Sequence, residues 1–289
     1  MTLQQLLVAP FADFGFMRRA LMACVALGTG AAPLGVLLLL RRMSLVGDAL
    51  SHAVLPGAAV GFFLAGLSYP AMGLGGLVAG VAVALLSGQV SRSTALREDA
   101  TFATFYLTSL AAGVLIVSLR GSSVDLLHVL FGTILAVDSP SLVLVGGIAS
   151  LTLLTLASIY RPLVTECFDP GFLWVVDGHG RRYHFLFLFL VVLNLVAGFQ
   201  TLGTLMAVGI MMIPAAIARL WAHTLPGMML LAMASAWLSG FAGLLMSFHF
   251  HLASGPAIVL TASALFILSL LIGPRGVLRR LFPRPHLAD

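Results

Sequence analysis

The stretch Arg41-Arg42-Met43-Ser44-Leu45-Val46-Gly47-Asp48-Ala49-Leu50-Ser51-His52-Ala53-Val54-Leu55-Pro56-Gly57 sets an aspartate and a histidine four residues apart in apolar surroundings. On a helix, positions i and i+4 share a face, so the carboxylate and the imidazole point the same way. Apolar runs of about 20 residues, the length that crosses a bilayer, recur from residue 20 to residue 273. The quoted stretch therefore reads as part of a membrane span, where ionisable side chains are costly and mark a functional site by default.

Composition supports that reading. The chain of 289 residues is 60% hydrophobic and 9% charged, with a mean hydropathy of +1.10, whereas soluble domains carry about 25% charged residues. The expectation is an all-α, polytopic transmembrane bundle of eight to nine spans, forming one domain over residues 1–289. The apolar runs place spans at 20–40, 47–66, 70–90, 101–118, 141–159, 185–200, 202–218, 227–247 and 256–273. Residues 1–19, with Leu3, Leu6, Leu7, Phe11, Phe14 and Phe16 among polar positions, read as an N-terminal interfacial segment. The run after Arg18-Arg19 is too long for the core of a cleavable signal.

The net charge of +5 does not point to nucleic acid, because its placement is that of a topology signal. All fifteen basic residues are Arg. With Arg41 and Arg42 in the cytoplasm, twelve of them fall inside and only Arg18, Arg19 and Arg120 fall outside. The N-terminus is then outside and the C-terminus inside. Residues 124–137 are apolar but short, and a full span there would invert every later loop. They read as a re-entrant or interfacial helix on the outer side. Residues 160–184, holding Glu166, Asp169, Asp177 and Gly178, read as a cytoplasmic loop.

Lysine is absent, so this chain cannot contain the phosphate-binding loop that needs one. Any ATP used in transport must be hydrolysed on another polypeptide. Cys24 and Cys167 fall in an apolar run and a polar loop, which argues against a disulfide or a thiolate metal site. No metalloprotease or serine-hydrolase motif occurs. Asp48 and His52 remain, with two readings: an intrahelical hydrogen bond that satisfies two buried polar groups, or half of a metal site. Two ligands do not complete a transition-metal site, which takes about four. A two-fold homodimer would supply two Asp and two His, a set that suits zinc and can hold manganese or iron. Pro56-Gly57 places a kink or hinge one turn later. His249 and His251, with His128, fall near the outer side as candidate mouth residues, while His179, His184, His223 and His286 receive no role. Without an ATPase, the same pair would suit a secondary divalent-metal transporter or a cation channel.

The run from Leu40 to Gly57 resembles the signature of the zinc/manganese/iron ABC-transporter permeases. Further matches follow in order: Leu130 to Val137, Phe168-Asp169-Pro170, Ile213-Pro214-Ala215-Ala216 with Ala218-Arg219, and Ser254 to Leu260. The resemblance spans nearly the whole chain. It implies the permease subunit of an ATP-driven importer in the bacterial cytoplasmic membrane, with zinc favoured and manganese or iron as alternatives. No cofactor is permanently bound, and the metal is cargo. The implied partners are a second copy of the chain, cytoplasmic ABC ATPase subunits and an extracytoplasmic metal-binding protein. Asp48 and His52 correspond to the family's metal-coordinating pair. The loop around 166–180 (Glu166, Phe168, Asp169, Pro170, Gly178) corresponds to the segment that couples to the ATPase. Two departures stand out. Gly171, Phe172, Leu173 and Trp174 replace the acidic and small residues that the family often shows there, and His251 stands where an acidic residue is frequent.

Overall fold

The computed structural model describes residues 7–66, 68–120, 137–168 and 180–277. Among these residues every regular element is a helix: α1 Ala9–Asp13, α2 Gly15–Leu40, α3 Ser44–Ala65, α4 Tyr69–Ser93, α5 Glu98–Arg120, α6 Ser139–Ser158, α7 Tyr160–Phe168, α8 Gly180–Leu202, α9 Thr204–Trp221, α10 Leu225–Phe250 and α11 Ser254–Ile272. Nine of them are long and apolar enough to cross a membrane. These nine correspond one to one with the nine spans read from hydropathy. Helices are the expected solution because backbone groups in lipid must be satisfied within the segment.

Long-range contacts show that the helices alternate. Arg41 at the end of α2 meets Glu166 on α7 and His184 near the start of α8. Leu39 shares a cavity with Arg219 and Arg275, at the ends of α9 and α11. These contacts define one Arg-rich face of the bundle. At the opposite face Arg19 Nε donates to the carbonyl of Val137 (3.0 Å), and Gln200 donates to that of Tyr69. Helix α5 runs parallel to α3, with Tyr106 beside His52 and Gly113 against Pro56. So α5 ends, and α6 begins, on the face opposite the Arg-rich one. Of residues 124–137, expected to be re-entrant, only Val137 is described, and 124–136 lie outside the described residues.

The core sits around α2 and α8, the most buried of the spans, while α5 and α11 are the most open. Small residues set the closest contacts. A Cβ added to Gly57 or Gly61 would run into the α4 backbone at Gly75 and Ala71. The α3–α4 pair is therefore held by backbone approach, the usual route to helix association in lipid. The α2–α3 turn is equally tight. Arg42 adopts φ 59, and the Met43 N–H returns to the Leu38 carbonyl (2.9 Å). That is the bonding of a left-handed helix stop usually built on glycine.

Two boundaries differ from those read in the sequence. The separate N-terminal helix is only α1, and the first span starts at Gly15, so residues 15–19 belong to the bundle. Met17 is 1% exposed, and Arg19 is tied to the Val137 carbonyl. The polar segment 160–184 is not all loop either. Leu163 and Glu166 are buried one turn apart on α7, and Gly180 already opens α8.

Candidate metal site and coupling network

Asp48 and His52 lie about 6 and 12 Å from the start of α3, at 1.5 Å per residue. The His52 Nε2 and Asp48 Oδ1 atoms are 3.7 Å apart, with side chains 42% and 59% exposed. That separation is too long for a hydrogen bond, and neither group is buried. The reading of an internally satisfied Asp–His pair therefore fails. Leu45, Asp48, His52 and Leu55 form one stripe along α3, open or half-open, while Val46, Gly47, Leu50, Ala53 and Val54 on the other side are buried. Tyr106 of α5 flanks His52, its ring 6.1 Å away and tilted by 28°. The Ser51 hydroxyl donates to the Asp48 backbone carbonyl (2.7 Å), which commits its one proton within the helix. Among the described residues no single group of three or more His, Cys, Asp or Glu is arranged to hold a metal. One chain thus presents a carboxylate and an imidazole side by side on a helix face left open within the chain.

The candidate mouth histidines are not brought to this pair. His249 lies at the end of α10, and His251 caps that helix with φ 52 on the face opposite the Arg-rich one. His128 lies outside the described residues.

A second cluster was not legible in the sequence. Arg41, read there as a topology signal, is enclosed with Glu166, each side chain 6% exposed, and their Nη2 and Oε2 atoms are 2.8 Å apart. Arg41 Nε donates to the Cys167 sulfur (3.0 Å). His184, which received no role, places Nδ1 3.3 Å from Glu166 Oε1 and Nε2 3.0 Å from Glu98 Oε1. The ring of Phe187 lies 4.4 Å under the Arg41 guanidinium carbon. A charge this buried persists only when paired and hydrogen-bonded. Burial pushes the Cys167 thiol above its ordinary value, against the opposing pull of Arg41. The cluster ties α2, α5, α7 and α8 together at the Arg-rich face. Its partners are up to 143 residues apart in the chain, so only tertiary contact reveals it.

Of the residues that the resemblance assigns to coupling, Glu166 belongs to that cluster, and Phe168, at the end of α7, is 69% exposed. Asp169, Pro170 and Gly178 lie outside the described residues.

Comparison with known proteins places this architecture. The model of the ABC 3 transport family matches residues 13–273. The manganese import system permease protein ScaB of Streptococcus parasanguinis is 35% identical over 263 residues, covering 91% of this chain and 92% of that one. The manganese transport system membrane protein MntC of Halalkalibacterium halodurans is 36% identical over 270 residues, covering 93% and 91%. Among solved structures, PsaBC from Streptococcus pneumoniae in complex with Fab superimposes with a TM-score of 0.82 at 31% identity, covering 95% of this chain and 98% of that one. Nine apolar helices in this arrangement and similarity along nearly the whole chain establish a multi-pass membrane protein that belongs to the ABC 3 transport family, a permease of the metal-importing kind.

Proposed function

We propose that two copies of this chain form the pore of a manganese importer in the bacterial cytoplasmic membrane. The observation that carries this reading is the Asp48–His52 half-site, open on a spanning helix where an uncovered ionisable pair is costly. A second copy related by a two-fold axis along this stripe would complete a set of two carboxylates and two imidazoles. That set is rich enough in charge to replace the water shell of a divalent ion. Carboxylate donors suit manganese, and the two relatives described above carry manganese in their names, so manganese takes the place that the sequence gave to zinc. Iron remains an alternative cargo.

Family membership favours an ATP-driven cycle over a secondary transporter or channel. In this cycle an extracytoplasmic binding protein delivers the ion on one side. ATPase subunits on the Arg-rich face engage residues 166–180, with the exposed Phe168 ring as the first contact. The Arg41–Glu166–His184–Glu98 cluster would pass that motion on, since Arg41 stands three residues before α3 and Glu98 opens α5, the helices that carry Asp48, His52 and Tyr106.

The test is metal uptake by vesicles holding the permease with its ATPase, comparing manganese, iron and zinc. Asp48→Ala with His52→Ala should abolish manganese uptake while the assembled complex still co-purifies. Uptake at the wild-type rate by that double variant would sink the site assignment, and a clear preference for zinc would sink the choice of metal.

A further inference from the structure

Helices α2, α9 and α11 leave a cavity of about 600 Å³ between their Arg-rich ends. Its walls are Leu39, Ala216, Leu220 and Phe266, and its remaining lining residues are Arg219 and Arg275. Among the described residues no acidic side chain lines it. Arg275 is fixed in place: Nη1 donates to the carbonyls of Arg219 (3.1 Å) and Ala222 (3.3 Å), and Nη2 lies 2.7 Å from His223 Nδ1. These carbonyls end α9, where a cation is favoured by the helix dipole. Arg219 is exposed, and its guanidinium has no ion-pair or hydrogen-bond partner among the described residues. Trp221, the last residue of α9, is 41% exposed, as suits the membrane–water boundary.

The depth of the cavity decides its ligand. Phe266 lies six residues inside the end of α11, about 9 Å below it, while Arg275 lies beyond that end. The site is thus cationic at headgroup level and apolar at the level of the first acyl carbons. A small free anion would use only the rim. A zwitterionic choline lipid would bring its ammonium against two guanidinium groups. We propose that this cavity binds a phospholipid of net negative headgroup, with the phosphate between Arg219 and Arg275 and an acyl chain along Leu39, Ala216, Leu220 and Phe266. Basic recesses between spanning helices at an Arg-rich face are a recurring form of anionic-lipid recognition. The inference does not depend on the metal reading.

Native mass spectrometry of the purified full-length permease, released from an uncharged detergent, tests it with dioleoyl phosphatidylglycerol or dioleoyl phosphatidylcholine at matched ratios. Phosphatidylglycerol should be retained in clear preference to phosphatidylcholine. Arg219→Gln should weaken that retention about fivefold, the effect expected of one basic residue near the surface, and leave phosphatidylcholine unchanged. Ala216→Leu, which fills the floor and keeps both charges, should also reduce it. Excess inorganic phosphate should not displace the lipid. Equal retention of the two lipids, undiminished phosphatidylglycerol binding by both variants, or displacement by phosphate alone would each overturn the assignment.

Discussion

The Arg41 guanidinium donates to the Glu166 carboxylate across 2.8 Å, with both side chains 6% exposed. This joins the end of α2, just before the helix that carries Asp48 and His52, to α7. Removing one partner strands a buried charge, which typically costs about 3–5 kcal/mol. Replacing both by neutral groups of similar shape costs much less. Thermal melting of the purified permease should therefore rank Arg41→Ala well below Arg41→Gln/Glu166→Gln. A double variant as unstable as the single one would show that the pair is not the stabilising unit.

Cys167 titrates in the direction set by its burial. Its thiol is held above the ordinary value of 9.0, so the folded protein keeps its proton where an unfolded chain begins to lose it. The stability this contributes is full below pH 9.0 and is lost as pH rises through the higher folded value. In a Cys24→Ala background, maleimide labelling of native Cys167 should lag behind that of denatured protein at every pH up to about 9. Equal rates would contradict the buried, neutral thiol.

The α3–α4 contact has no room for side chains. Gly57→Val should disrupt it, because the first added carbon already meets the Gly75 carbonyl of α4. Overpacking costs about 1–3 kcal/mol or more, so the yield of folded protein from membranes should fall sharply. Gly146→Ala, where nothing lies within 4 Å, should extract as the wild type does.

Tyr106 holds the His52 ring from one side at 6.1 Å. An aromatic contact of this kind contributes about 0.5–1.5 kcal/mol, so Tyr106→Ala should raise the manganese KM by about two- to tenfold with a smaller change in kcat. Tyr106→Phe should behave as wild type. A loss in the Phe variant equal to that in Ala would move the role from the ring to the hydroxyl.

The spans were legible because length and apolarity are local properties. Each of the nine runs, from 20–40 to 256–273, became a helix with ends shifted by a few residues. The i, i+4 pairing of Asp48 and His52 was equally local, fixed by helix periodicity before any packing. The Arg-rich face was legible too, since the charge bias marks alternate loops. Polar composition, by contrast, misread 160–168 as loop, because burial of Leu163 and Glu166 on one side turns it into a helix.

By itself, then, the sequence determined an all-helical membrane bundle with one ionisable pair on a shared helix face. It could not say that this face is left uncovered within the chain, nor that Arg41, Glu98, Glu166 and His184 converge. Which side of a helix is buried, and which charges meet across more than a hundred residues, depends on how helices pack against one another. In lipid that packing follows from backbone approach at residues such as Gly57 and Gly75, not from any periodicity along the chain.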